Sequence, residues 1–291
     1  MNYVFFGTPE FAAIILQKLI DGGIPPVAVV CNPDRPVGRK KVITAPLTKT
    51  VAQKYGIPVL QPEKLDESFT LHASRFTSQF AIVAAYAKII PKDVIELFPK
   101  GVIGVHPSLL PKYRGASPIQ SAILGGEKET GVTLYMLDEK MDHGKTVSSV
   151  KCQVSSNDAY ETLLQKLAEL SGQLLVKTLP KFVEGKMVPQ AQDEARATFT
   201  KKFATQDGFV DEKDLNDALA GDAQKANEVD RKIRALNPEP GVWTYANSHS
   251  EWAHTNKIHN GTRVKFLDAK IEDGRLVLVR IQEEGGRPRS F

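Results

Sequence analysis

The sequence contains two cysteines among its 291 residues, and it lacks any long run of apolar residues. Two thiols cannot form the disulfide framework of a small secreted domain. Because Cys31 and Cys152 both stand in apolar runs, we predict that they are buried and reduced. A membrane-spanning helix needs about 18 consecutive apolar residues, and the chain has no such run. Residues 1–6 contain no basic residue of the kind that opens a secretory signal. These absences predict a cytoplasmic protein without a membrane anchor.

Two common nucleotide-binding motifs are also missing. The first apolar run is followed by Gly7-Thr8-Pro9 instead of the G-x-G-x-x-G of dinucleotide-binding folds, and the chain contains no P-loop. The sequence therefore disfavours a nicotinamide-dependent dehydrogenase. His249, His254 and His259 are spaced by five in a polar stretch without a neighbouring cysteine, which is not the spacing of a zinc site. We predict no metal centre.

Basic residues are concentrated in one segment. Residues 34–54 carry six basic side chains and one acidic side chain, a net charge of +5, whereas the whole chain carries +4. The basic residues are Arg35, Arg39, Lys40, Lys41, Lys49 and Lys54. Such a focus of charge suits a phosphate or a nucleic-acid backbone, but a solvated loop has the same composition. Charge alone leaves both interpretations open.

The first part of the chain contains several apolar runs that do not alternate with polar residues. The runs at 4–6, 80–85 and 102–105 predict strands that are buried on both faces, and helical patterns lie between them. This alternation predicts an α/β domain with a mostly parallel sheet over residues 1–188. A polar stretch at 189–203 predicts a linker. Short strand-like runs separated by turns predict a small antiparallel β domain, plausibly a barrel, over residues 204–291.

One histidine stands where a ligand would bind in such a sheet. His106 follows the apolar run at 102–105, and ligands of open α/β sheets bind at the carboxyl ends of the strands. Asp142 follows the next strand-like run, so its carboxylate could hold the imidazole in one tautomer. His143 is the alternative to His106, but we interpret it as structural or exposed because a residue beside Asp142 points elsewhere.

The motifs around His106, with others along the chain, resemble those of the folate-dependent formyltransferases, in particular of the members that act on methionyl-tRNA. The resemblance covers nearly the whole chain, and the motifs are specific in combination. They are Phe6-Gly7-Thr8-Pro9-Glu10-Phe11-Ala12, Pro33-Asp34-Arg35-Pro36-x-Gly38-Arg39, Ala85-Tyr86 before Ile89-Ile90-Pro91, His106-Pro107-Ser108-Leu109-Leu110-Pro111-x-Tyr113-Arg114-Gly115, Met141-Asp142-x-Gly144 and Arg231-Lys232-Ile233-Arg234-Ala235-Leu236-Asn237-Pro238.

The resemblance implies a fold, a formyl donor and an acceptor. The fold is a Rossmann-like formyltransferase domain followed by a small OB-like β-barrel domain that helps to hold tRNA. The donor is 10-formyltetrahydrofolate, the acceptor is methionyl-initiator tRNA, and no metal is required. We expect a monomer. By position, the resemblance implies catalysis by His106 and Asp142, folate contacts from Ser108, Leu109, Leu110 and Pro111, a pocket border formed by Tyr86, Ala87, Lys88, Ile89, Ile90 and Pro91, and tRNA contacts from Arg35, Arg39, Lys40 and Lys41.

Gly104 departs from the family pattern. The family has Asn-x-His where this chain has Gly104-Val105-His106, and the amide of that Asn is expected to bond the oxyanion. Losing one such donor typically costs about 10²–10³ in rate. We therefore expect a weakened enzyme that Gly104→Asn improves, with space for a water at this position. A natural loss, an engineered substitution and a donor relocated to another residue all fit the sequence.

Two further functions remain open at this point. The same folate chemistry could formylate an amino-sugar nucleotide, although such a small substrate needs neither the basic segment nor the second domain. The chain could also be an inactive homologue that binds folate or tRNA, because position 104 has no donor.

Overall fold

The computed structural model describes the chain apart from Arg39, Ser248 and His249, and apart from the side chain of His72. The strands are β1 (Tyr3–Gly7), β2 (Ala28–Val30), β3 (Arg35–Val37), β4 (Val42–Thr44), β5 (Val59–Leu60), β6 (Phe80–Ala84), β7 (Val102–His106), β8 (Arg114–Gly115), β9 (Glu129–Met136), β10 (Thr146–Gln153), β11 (Phe199–Thr200), β12 (Val242–Tyr245), β13 (Arg263–Glu272), β14 (Arg275–Glu283) and β15 (Arg289–Ser290). The helices are α1 (Glu10–Asp21), α2 (Leu47–Lys54), α3 (Glu67–Ala73), α4 (Lys92–Glu96), α5 (Pro118–Leu124), α6 (Tyr160–Val183), α7 (Glu212–Ala220), α8 (Ala223–Leu236) and α9 (Glu251–Thr255).

The chain divides into two compact units. The first comprises residues 1–115, 129–153 and 164–199, and the second comprises residues 116–128, 154–163 and 200–291. The domain boundaries given above from the sequence stay a prediction.

The first unit is built on a seven-stranded sheet with the order β10-β9-β7-β6-β1-β2-β5. The five strands from β7 to β5 run parallel, whereas β9 runs antiparallel to β7 and β10 antiparallel to β9. Every residue of β1, β2 and β7 is buried, because the sheet is covered on both faces. The mostly parallel α/β sheet predicted from the sequence is confirmed.

The first turn of this unit brings backbone and helix close together. Helix α1 follows β1 directly, and a Cβ on Gly7 would lie 2.6 Å from the Cβ of Ala12 and 2.8 Å from the carbonyl oxygen of Ala84. Only glycine lets α1 pack this tightly against the sheet. The buried side chains of α1 recur at helical spacing and cover β1; they are Phe11, Ala12, Ala13, Ile15, Leu16 and Leu19.

The second unit contains a four-stranded antiparallel sheet in the order β12-β13-β14-β15. Helix α8 packs on it through one apolar face, and its N-terminus is capped by Asp222, whose side chain accepts the backbone N–H groups of Gln224 and Lys225. Trp243 of β12 lies under the guanidinium of Arg263, 4.0 Å from the ring centroid. The predicted fold class, an α/β unit with a small β-rich unit, is thus confirmed in both parts.

Both cysteines are free and buried, as predicted from the sequence. Cys31 follows β2, and burial raises the pKa of its thiol to about 11. In the described residues, the helices are too short or too polar to cross a bilayer.

We expect Cys31 to resist alkylation in the folded protein. At pH 8 a thiol with a pKa near 11 is ionised about 100-fold less than an ordinary cysteine, and the thiolate is the reactive form. The measurement is the iodoacetamide rate of a Cys152→Ser variant, native and in denaturant, by mass spectrometry. Equal rates in the two states would contradict the burial of this thiol.

Candidate active site

His106 ends β7, the last parallel strand before the antiparallel edge of the large sheet. The residue is 6% exposed, so its ring is held largely away from water. Nε2 lies 2.8 Å from the carbonyl oxygen of Tyr113, and Nδ1 lies 3.6 Å from Oδ2 of Asp142. Each ring nitrogen therefore faces an oxygen acceptor. A proton can pass between this ring and a ligand only if one nitrogen exchanges its protein partner for that ligand.

Asp142 lies in the loop between β9 and β10, and its backbone adopts a left-handed conformation with a φ of 50°. Its two carboxylate oxygens have different donors. Oδ1 accepts the hydroxyl of Tyr135 at 2.6 Å, and Oδ2 accepts the backbone N–H of Gly115 at 2.8 Å. The structure thus brings His106 and Asp142 together, as the sequence predicted from their positions after neighbouring strands.

Gly104 lies two residues before His106 on the same strand, directly opposite Tyr135 of β9. A Cβ built on Gly104 would lie 2.4 Å from Cε1 and Cζ of Tyr135 and 2.8 Å from its hydroxyl oxygen. The expectation that this position leaves space for a water is therefore wrong, because the Tyr135 ring lies there. The weakening of activity inferred from Gly104 stays a prediction.

The segment 108–111 follows His106 and is fixed by hydrogen bonds. Ser108 donates its hydroxyl to the carbonyl of Lys112 at 2.6 Å. Thr133 of β9 donates its hydroxyl to the carbonyl of Ser108 at 2.7 Å and accepts the N–H of Leu110 at 3.0 Å. Leu109, Leu110 and Pro111 are half-buried, so they present apolar surface beside the carboxyl end of β7.

The segment 86–91 leaves the neighbouring strand β6. Tyr86 is buried and packs edge-on against Phe6, with ring centroids 5.5 Å apart, while its carbonyl accepts Nδ2 of Asn32 at 3.2 Å. Ala87 has a left-handed φ of 62° and is exposed, Ile90 is buried, and Pro91 is exposed. Ile89 is 92% exposed, which is unusual for a branched apolar side chain, and it marks a surface that a ligand could cover.

Lys88 of the same segment is half-buried, and its ammonium is held by backbone carbonyls. Its ammonium donates to the carbonyls of Pro62 and Glu63, at 2.8 and 2.9 Å. These bonds tie the 86–91 segment to the chain that follows β5.

The sequence analysis did not assign Gln192 and Glu194 to the site. Gln192 accepts Nε and Nη2 of Arg114 at 3.1 and 2.8 Å, and donates to the carbonyls of Asp142 and Gly144 at 2.9 and 2.8 Å. The buried Arg114 also forms two bonds with Glu194, at 2.9 and 2.6 Å. Its guanidinium holds the pKa of the Glu194 carboxyl below its ordinary value. The residues between 189 and 203 thus contribute contacts that hold the Asp142 loop.

The basic segment forms a hairpin of β3 and β4. Arg35, Lys40 and Lys41 are exposed, whereas Arg39 lies outside the described residues. Lys49 differs from them because its ammonium is 2.8 Å from Oδ2 of Asp34, and both side chains are half-buried. The hairpin also exposes apolar side chains, including Ile43 at 64%.

His143 contacts acidic side chains away from His106. Its Nδ1 lies 2.6 Å from Oδ2 of Asp138, and its Nε2 lies 3.6 Å from Oε1 of Glu194. Among the residues that the structure describes, no group of three His, Cys, Asp or Glu side chains is arranged to hold a metal ion.

Comparisons with known proteins extend over nearly the whole chain. Residues 1–179 match the family model "Formyl transferase", and residues 223–289 match "Formyl transferase, C-terminal domain". The methionyl-tRNA formyltransferase of Dictyoglomus turgidum is 36% identical over 307 residues, which cover 100% of this chain and 94% of that protein.

Solved structures share the fold. The methionyl-tRNA formyltransferase from Clostridium thermocellum has a TM-score of 0.61 and 15% identity, with 97% of this chain and 98% of that chain covered. An N-formyltransferase from Helicobacter canadensis, in complex with folinic acid and dTDP-3-aminofucose, has a TM-score of 0.64 and 18% identity, with 93% and 87% covered.

Gln192→Ala is expected to destabilise the first unit by about 1–3 kcal/mol, because it removes the bonds that Gln192 forms with Arg114 and with the carbonyls of Asp142 and Gly144. Gln190→Ala is the matched control, since the side chain of Gln190 is exposed and donates to the nearby carbonyl of Val188, two residues away. Urea unfolding measures both. Equal midpoints for the two variants would remove Gln192 from the support of the site.

Proposed function

The chain belongs to the formyltransferase family, and within it to the methionyl-tRNA formyltransferases, and on this premise we propose that it transfers a formyl group from 10-formyltetrahydrofolate to the α-amine of methionyl-initiator tRNA. The resemblance and the enzyme class predicted from the sequence are confirmed by this membership. The observation that carries the assignment to this site is the pairing of His106 with Asp142 at the carboxyl end of β7.

We propose His106 as the residue that moves protons and Asp142 as its partner. Bound folate supplies the formyl carbon, which forms a bond to the amine and loses its bond to the folate nitrogen, while one proton passes from the amine to that nitrogen. The ring nitrogens of His106 face the carbonyl of Tyr113 and the Asp142 carboxylate, so His106 moves the proton when one nitrogen exchanges its protein partner for the substrate. The Asp142 carboxylate stabilises the charged imidazole, and the burial of the ring keeps bulk water from competing.

The residues at the carboxyl ends of β6 and β7 fit a folate chemically. Ile89 is exposed, and Leu109, Leu110 and Pro111 are half-buried, so apolar surface is available to a flat ring. Oδ1 of Asn32, beside Tyr86, is buried and has no hydrogen-bond partner among the described residues, so an N–H donor of a ligand would satisfy it. We therefore assign the donor site to Ser108–Pro111 and Tyr86–Pro91.

We assign tRNA contacts to the basic hairpin and to the C-terminal unit. Arg35 lies in β3, and Lys40 and Lys41 lie just before β4, where their charges can reach phosphates. Arg39, next to Lys40 in the sequence, is assigned to the same contacts by its charge. With the boundaries expected from the sequence, residues 1–188 form the transferase domain, 189–203 the linker and 204–291 the tRNA-binding domain. We propose that the enzyme acts as a monomer in the cytoplasm.

Substitution of the central pair tests the assignment. His106→Ala and Asp142→Asn are expected to lower turnover by about 10²–10⁴, the scale of a lost acid–base group, and to leave folate affinity unchanged. The assay is formylation of methionyl-initiator tRNA, with folate binding measured by calorimetry.

His143→Ala is the control for this experiment, since His143 contacts Asp138 instead of His106. It should retain most activity. If His143→Ala loses activity and His106→Ala does not, then His143 and not His106 is the residue that moves protons. Native protein that binds folate or tRNA but transfers no formyl group would be a binding homologue. Formyl transfer to an amino-sugar nucleotide but not to tRNA would show that the acceptor is the sugar nucleotide.

The hairpin is tested by the salt dependence of tRNA binding. Replacing Arg35, Lys40 and Lys41 by Ala is expected to weaken binding and to reduce the slope of log Kd against log salt by about 2, since each phosphate contact contributes roughly 0.7–0.9. The control removes the same charge from Lys177, Lys181 and Lys186, which are also exposed in the first unit. Equal slopes for the two triple variants would place the tRNA contacts elsewhere.

A further inference from the structure

The ring of Tyr135 fills the space that a side chain at position 104 would occupy. They lie directly opposite each other in the antiparallel pair of β7 and β9, and His106 lies opposite Thr133. Opposite residues of an antiparallel pair project to the same face, so Tyr135 shares a face with His106. A Cβ on Gly104 would lie 2.4 Å from two carbons of the Tyr135 ring. Any residue larger than glycine at position 104 therefore requires the ring to move.

The Tyr135 hydroxyl acts as a hydrogen-bond donor inside the site. Its side chain is 6% exposed, and the hydroxyl is 2.6 Å from Oδ1 of Asp142. Burial, followed by the neighbouring Asp142 carboxylate, raises the pKa of this hydroxyl well above its ordinary value. The hydroxyl therefore keeps its proton at any pH at which the enzyme works, and it donates a hydrogen bond to the Asp142 carboxylate.

Two donors on different oxygens restrict the rotation of the Asp142 carboxylate. Tyr135 holds Oδ1 from β9, and the N–H of Gly115 holds Oδ2 at 2.8 Å. Oδ2 is also the oxygen that faces Nδ1 of His106, at 3.6 Å. If the phenol is lost, the carboxylate keeps a single anchor and can turn about its terminal bond.

We propose that Tyr135 is a positioning residue for formyl transfer, which holds Asp142 toward His106, and that Gly104 is the residue that admits its ring. The hydroxyl has one hydrogen, and Asp142 accepts it, so Tyr135 acts through the carboxylate. The family pattern has an Asn side chain at position 104, and here the phenol of Tyr135 from the adjacent strand lies in that place. This inference rests on the proposed function and assigns a further residue to the same site.

Tyr135→Phe is the direct test, because it keeps the ring over Gly104 and deletes the hydroxyl. We expect kcat to fall about 10- to 100-fold, the effect of losing one hydrogen bond to a charged group, with KM for folate and tRNA within about twofold. Tyr3→Phe is the matched control: it deletes another buried phenol hydroxyl, which bonds the carbonyl of Ile24, and should keep kcat. Equal kcat values for Tyr135→Phe and the native enzyme overturn the inference.

A double-mutant cycle separates positioning from a general structural effect. If Tyr135 acts through Asp142, then Tyr135→Phe should change kcat less than about twofold in the Asp142→Asn background. Multiplicative effects of the two substitutions would show that Tyr135 does not act through Asp142. Native protein without formyl transfer overturns the proposed function as well, whereas an active native protein with an unaffected Tyr135→Phe variant overturns the inference alone.

The steric half of the inference is tested without substrate or folate. Gly104→Ala should lower Tm by several degrees in the native background, because the methyl group collides with the ring. In a Tyr135→Ala background the same substitution should change Tm by less than about one degree. Gly104→Asn should likewise lower both Tm and kcat, the reverse of the improvement expected from the sequence. Equal Tm shifts in the two backgrounds would contradict the proposed pairing.

Discussion

The antiparallel pairing of β7 with β9 determines how the site is built. It sets Gly104 opposite Tyr135 and His106 opposite Thr133, so two strands supply the site from one face of the sheet. A shift of one residue would turn the Tyr135 ring to the other face and leave Asp142 without its phenol donor. The burial of both strands makes such a shift costly, since it would also expose apolar side chains. The chemistry of the site therefore depends on the same packing that stabilises the sheet.

Two of the residues with strained backbones lie next to this pairing. Tyr113 and Asp142 both have left-handed backbones, with φ values of 59° and 50°, and neither is glycine. Each such conformation costs about 1–3 kcal/mol and persists only where the surroundings hold it. Here they do: Tyr113 donates its N–H to the hydroxyl of Thr198 at 2.8 Å, and the Asp142 carbonyl accepts Gln192. These two strained residues supply the oxygens that face the nitrogens of His106, which are the carbonyl of Tyr113 and the carboxylate of Asp142.

The sequence sufficed for features that depend on local patterns. Non-alternating apolar runs predicted the buried parallel strands, and the position of His106 and Asp142 after such runs predicted that they meet. Tyr135 was not predictable, because it stands inside an apolar run and its partner depends on a register that the sequence does not display. For the same reason, the glycine at position 104 was interpreted as an empty place. Gln192 lies in a polar segment whose composition is that of a linker, and its partners are 50 and 78 residues away along the chain.

The bonds from Arg114 and Tyr113 to the 192–198 segment can form only late in synthesis, because their partners are far apart along the chain. Every strand of the large sheet has left the ribosome once Gln153 is exposed, but Gln192, Glu194 and Thr198 emerge only after the 24-residue helix α6 has been made. In a nascent chain the strands of the sheet can therefore pair before Gln192 is available to bond the Asp142 loop. The loop that carries Asp142 therefore gains its bonds to Gln192 only after the sheet is complete, and a fragment that ends before residue 192 contains every strand of the sheet but lacks these bonds.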